Sequence, residues 1–139
     1  MSIKSPFIFF LWSFVLISCQ NKSEFDLSLL HGYWEIESIH AQGEVFYPKG
    51  PSPVVDFYKL NNTSGGFKKK LMPNFTGHYE SSNDKANFTL ITTGGEYYIN
   101  YAFSLEPWKE KIIELNQESL ILYHSEKEYH YRRHQKLSL

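Results

Sequence analysis

The chain has 139 residues, 14 basic and 15 acidic side chains, 42% hydrophobic and 17% aromatic residues, and one cysteine. A formal charge of −1 gives no basic surface for nucleic acid, and one cysteine excludes an internal disulfide framework. The length suits one domain and is short for two.

At the N-terminus, Lys4 precedes an apolar stretch that runs from Phe7 to Leu11 and continues through Trp12, Phe14, Val15, Leu16 and Ile17. A short positive region before such a core reads as a signal peptide, Met1–Ser18, removed on export. As a helix the core rises roughly 16 Å, about half the hydrocarbon thickness of a bilayer, so it is a poor membrane span. No later stretch approaches a spanning length, and the remainder is expected to be soluble.

Leu16-Ile17-Ser18-Cys19, placed between this core and the polar QNKSE, resembles the bacterial lipobox. The resemblance implies cleavage before Cys19, diacylglycerol on its thiol and a fatty acyl chain on the new N-terminus. A thiolate is the side chain most readily alkylated. Two or three acyl chains, at about 0.8 kcal/mol per buried methylene, hold a protein stably where one does not. The expected location is the bacterial outer membrane, lipid-anchored through Cys19, with the periplasmic and surface faces both open. Removing Met1–Ser18 takes Lys4 from the 14 basic side chains and leaves 121 residues, with 13 basic groups against 15 acidic. Residues 19–28 then read as lipidated cysteine and polar tether, and residues 29–139 as one domain without cysteine that must fold on its core alone.

From Leu29 onward, short alternating runs rich in Tyr, Phe and β-branched residues are broken by Gly, Pro, Asn and Asp, which predicts an all-β domain. Strands are expected near Tyr33–His40, Val54–Leu60, Phe67–Met72, Gly77–Ser81, Asn87–Thr92, Tyr97–Ser104, Lys109–Leu115, Leu120–His124 and Glu128–His134, with a short piece near Val45–Tyr47. The three prolines of Pro48–Pro53 mark a loop. Asn61–Gly66 and Thr92–Glu96 read as hairpin turns.

The last three strands set one another's register. With Gln117-Glu118 and Glu126-Lys127 as two-residue turns, Leu115 faces Leu120 and Ile113 faces Leu122. Leu122 then faces Tyr131, His124 faces Tyr129, and Leu120 faces Arg133. Ile112 falls on the opposite, mixed face. Three strands with one consistent apolar face predict a meander, as an up-and-down barrel requires.

Leu30-His31-Gly32-Tyr33-Trp34-Glu35-Ile36 resembles the opening Gly-x-Trp strand of lipocalin-like domains, and Tyr129-His130-Tyr131-Arg132-Arg133 resembles their closing strand, where a basic residue lies over that tryptophan. Trp108…Ile113-Glu114-Leu115…Leu120-Ile121-Leu122 is similar to the penultimate hairpin of lipocalin-like bacterial lipoproteins, and the Phe-, Tyr-, Asn- and Lys-rich usage is similar to that of Bacteroidetes proteins. The resemblance implies a single antiparallel β-barrel or calyx of about 8–10 strands. A closed barrel pairs its first and last strands, and a guanidinium can cover an indole face. Arg133 is therefore expected over Trp34 as a barrel-closing pair. Unlike animal lipocalins, the mature chain has no disulfide, and it is short.

No Gly-x-Ser-x-Gly elbow, phosphate loop, His-Glu-x-x-His or paired-cysteine motif occurs, so no catalytic residue and no cofactor is assigned. His31, His40, His78, His124, His130 and His134 show no metal-ligand spacing, and no metal site is assigned; His130 and His134 stand about 13 Å apart on an extended strand. Asp56 is expected to face outward. Phe67-Lys68-Lys69-Lys70 reads as a solvated edge strand kept from aggregating by its lysines.

Tyr97, Ile99, Tyr101 and Phe103 alternate onto one face; pointing inward they would meet His124, Tyr129 and Tyr131. Tyrosine walls with a few hydroxyls suit a small apolar or amphipathic molecule. Non-enzymatic binding of such a molecule is thus one reading. The other is a membrane-tethered accessory subunit or inhibitor with a packed interior, its partner protein unspecified, using an apolar patch near Pro107 and Trp108.

Overall fold

In the computed structural model of the chain, the described residues are 24–50, 54–74, 76, 78–81, 83–102 and 105–135. The expected signal peptide Met1–Ser18, Cys19, the first part of the expected tether and Phe103 lie outside them.

Among the described residues, ten strands follow a short 3₁₀ turn, Leu27–Leu30. They are β1 (Gly32–Ala41), β2 (Glu44–Phe46), β3 (Val55–Asn62), β4 (Gly65–Pro73), β5 (Tyr79–Ser81), β6 (Ala86–Thr93), β7 (Glu96–Tyr101), β8 (Trp108–Leu115), β9 (Ser119–His124) and β10 (Lys127–Arg133). All pairings are antiparallel between chain neighbours or near-neighbours, and β10 returns to pair with β1. Eight strands (β1, β3, β4, β6, β7, β8, β9 and β10) thereby close a barrel, which leaves none of them an unpaired edge. The short β2 and β5 continue the edges of β1 and β4 beyond β3 and β6.

Turn chemistry explains much of this order. Gly94 and Gly95, at φ 59° and 72°, make the β6–β7 turn that a right-twisted hairpin prefers. Ser125 and Glu126, at φ 50° and 60°, make the equivalent β9–β10 turn. The turn therefore falls one residue before Glu126-Lys127, and the pairs are Leu122 with Tyr129 and Leu120 with Tyr131. A displaced two-residue turn moves the register by two, so each side chain keeps its face.

In β8 the face itself changes. A bulge between Ile112 and Glu114 puts Ile112, not Ile113, opposite Leu122. Ile112 is 2% exposed and Ile113 40% exposed. The extra residue of a bulge reverses the alternation beyond it.

The barrel is filled by Trp34, Tyr58, Phe88, Ile99, Tyr101, Ile112, Leu115, Leu120, Leu122 and Tyr131. The 3₁₀ turn covers the end at which β1 starts and plugs it with Leu30. Asp26 caps that turn, its side chain accepting from Ser28 N at 3.1 Å. The opposite rim carries exposed Val45, Phe46, Tyr47, Val54, Met72 and Leu105.

Candidate functional site

At the plugged end the first and last barrel strands are bonded to the plug. The Arg133 guanidinium carbon lies 3.8 Å from the Trp34 ring centroid. Arg133 also donates from Nη1 to His31 O at 2.9 Å, from Nη2 to Leu29 O at 2.7 Å and from Nε to Gln117 O at 3.0 Å. Trp34 Nε1 donates to Leu30 O at 2.9 Å. The glycine of the Gly-x-Trp run makes room for this arrangement. Gly32 has φ +132°, and a Cβ there would stand 2.6 Å from Arg133 Nη1. The neighbouring Arg132 faces outward, donating to Glu35 Oε1 at 2.7 Å. Glu35 also meets His134 Nδ1 at 3.1 Å, and His134 Nε2 meets the Tyr79 hydroxyl at 2.5 Å. Burial raises the Glu35 pKa, but the hydrogen bonds from Arg132 and His134 outweigh that and hold the carboxyl below its ordinary value.

Inside the barrel lies a polar group the sequence did not disclose. Asp56 and Tyr58 on β3 stand opposite Lys70 and Lys68 on β4. All four share the face of Trp34, which pairs with Asp56. Asp56 is thus 4% exposed and points inward, correcting the outward position expected for it. Lys68 also turns inward, 3.2 Å from Asp56 Oδ2, while the more exposed Lys70 reaches within 3.5 Å of Oδ1. Since β4 lies between β3 and β6, the lysine run is not an edge strand. Tyr131 donates to Asp56 Oδ2 at 3.3 Å, and Tyr101 to Glu110 Oε2 at 3.0 Å. Oδ1 of Asp56, facing Lys70, and the hydroxyl of Tyr58, beside Tyr101, are both buried.

The electrostatics follow from burial and compensation. Burial opposes the Lys68 charge, but the surrounding tyrosine oxygens and the carboxylates of Glu110 and Asp56 outweigh it and hold the ammonium well above its usual range. With the phenols neutral at pH 7, the two carboxylates carry that effect. Burial likewise raises the phenols of Tyr58, Tyr101 and Tyr131, helped by nearby negative charge.

The proposed lining residues divide between packing and access. Ile99 and Tyr101 are fully buried, with Tyr101 stacked on Trp108 at 4.3 Å between centroids. Tyr131 is buried, and Tyr129 is half-buried against the same core. His124 is half-buried and held through Nδ1 to Lys109 O at 2.9 Å. Tyr97 reaches open space. It lies 5.2 Å from the Phe25 ring, and both line a cavity of about 690 Å³ at the plugged end. Phe25, Leu27, Leu60 and Tyr97 form its apolar wall, with Asn61, Asn62, Thr63 and Thr92 around it. The alternation that places Tyr97 inward was legible; the contribution of Phe25 and Leu27, from the polar tether, was not.

These features define the class: an eight-stranded antiparallel β-barrel closed by its first and last strands. Among solved structures it is similar to a lipocalin-like protein from Bacteroides uniformis, with 12% identity and a TM-score of 0.49, over 76% of this chain and 99% of the other. It is similar to the same extent, 12% identity and TM-score 0.49 over 76% and 99%, to an uncharacterized protein from Bacteroides eggerthii. No family model and no curated protein matches the sequence.

Proposed function

We propose that this chain is a lipid-anchored bacterial outer-membrane lipoprotein whose barrel binds a small apolar or amphipathic molecule without transforming it. The supporting observation is the cavity of about 690 Å³ between the hairpin tips and residues 24–28. Its volume falls within the roughly 300–1,000 Å³ of small-molecule sites, and aromatic and aliphatic walls with polar groups at the margin suit an amphipathic guest. The barrel centre, by contrast, is occupied by the chain's own side chains.

Position favours a membrane-derived molecule. Phe25 stands six residues after Cys19, a reach of at most about 20 Å. A lipid anchor on Cys19 would hold this end of the barrel close to the bilayer.

The test is titration with an environment-sensitive anilinonaphthalene dye. Saturable one-to-one fluorescence enhancement is expected, lost in Thr92→Trp, which fills the cavity from an exposed position. Enhancement that Thr92→Trp leaves unchanged would place binding elsewhere. The second reading, a protein-interaction role, is favoured by the exposed Phe46, Tyr47, Met72 and Leu105 on the opposite rim. It gains ground if the dye does not bind.

A further inference from the structure

We propose that His40, Glu128 and His130 form a site for one divalent transition-metal ion of the zinc class. It lies on the outer wall of the barrel, at the β1–β10 seam, and is independent of the end cavity. One donor atom from each of the three residues can be chosen so that all lie within 4.8 Å of one another. Two imidazoles and a carboxylate are a donor set that suits zinc, with a fourth position left for water.

The backbone is arranged to bring these residues together. On β10, Tyr129 and Tyr131 point inward, so Glu128 and His130 point outward. On β1, uninterrupted alternation from Trp34 and Ile36 would turn Ser38 and His40 inward. A bulge between Ile36 and Ser38 reverses that alternation, setting Ser38 opposite His130 and His40 opposite Glu128. Bulges re-aim side chains in this way beside functional sites.

The surroundings are suited to a cation. Ser38, 6% exposed, places Oγ 3.0 Å from His40 Nε2, so an ion taken at Nδ1 keeps the hydroxyl as a partner that fixes the tautomer. His130 Nε2 lies 3.1 Å from Glu128 Oε2. A depression of about 310 Å³ beside them is lined by His40, Glu128, Glu44 and Glu126.

The imidazoles of His40 and His130 stack, with centroids 3.9 Å apart and planes 19° from parallel. Parallel rings cannot both aim in-plane lone pairs at one ion. Binding therefore turns one ring about χ2, a soft torsion. It also draws the donors to the roughly 3.4 Å spacing that a tetrahedral ion with ~2.1 Å bonds requires.

The experiment is calorimetric titration of tag-free protein with zinc, paired with imidazole nitrogen NMR. One zinc per chain is expected, with affinity falling at least about tenfold in His40→Ala, His130→Ala and Glu128→Gln, and unchanged in His78→Ala, which is not one of the three. In the wild type, zinc should shift the ring signals of His40 and His130 and leave the other four histidines in place, a readout that needs no variant. Absence of stoichiometric binding, shifts at other histidines instead, or undiminished affinity in both alanine variants would each overturn the site.

Discussion

Arg133 and Trp34 stand directly opposite each other on β10 and β1, and both are bonded to the 3₁₀ turn that plugs the barrel. The seam that closes the barrel and the cover over its end are therefore one bonded unit. Arg133→Ala would leave three carbonyls without their charged donor and uncover an indole face. The expected loss is about 2 kcal/mol, lowering Tm by about 8 °C. Arg133→Lys should recover little, because an ammonium cannot serve a fork of carbonyls. Thermal denaturation of both variants checks this; an alanine variant as stable as wild type would mean the contacts are incidental.

The Asp56–Lys68 pair makes a second prediction. Asp56→Asn removes the charge that Lys68 was buried against, and should destabilise the fold by about 3–5 kcal/mol. Replacing both residues together, Asp56→Leu with Lys68→Met, should recover much of that loss, because neither charge then needs a partner. Urea denaturation of the single and double variants decides it, and a double variant worse than the sum of its singles would contradict the reading.

Alkaline titration should divide the tyrosines into two classes. Burial raises the phenols of Tyr58, Tyr101 and Tyr131, so the folded chain holds those protons more tightly than the unfolded chain. Their contribution to stability is complete below the ordinary phenol value near 10 and is lost as pH rises above it. Lys68, also raised, acts in the same direction. Tyrosinate absorbance should therefore show a late step that coincides with loss of near-ultraviolet circular dichroism. A single smooth titration with the fold intact would contradict this.

Cys19→Ala should release the protein from membranes or block its maturation. Fractionation and intact mass measure both effects. Unchanged membrane association with unchanged mass would remove the lipoprotein assignment.

The strand pattern was legible because alternation survives small errors. Shifting the β9–β10 turn by one residue left Tyr129 and Tyr131 on the face read for them. Bulges were not legible, and each misplaced what followed it: Ile112 was read outward, and His40 gave no sign of meeting His130. Asp56 and Lys68 misled for a different reason. A lone charge in a barrel is costly, so each reads as a surface residue until its partner on the facing strand is known. Phe25 and Leu27 sit in a polar tether, and nothing in that tether signals that it folds back against Tyr97.

Native mass spectrometry of the protein, purified in mild conditions from cells that produce it, addresses the binding proposal most directly. A single non-covalent adduct of small-molecule mass, released on denaturation and absent from Thr92→Trp, is the result expected. A clean apo mass that stays clean after exposure to a total lipid extract would contradict it, and the exposed rim of Phe46, Tyr47, Met72 and Leu105 would become the surface to pursue.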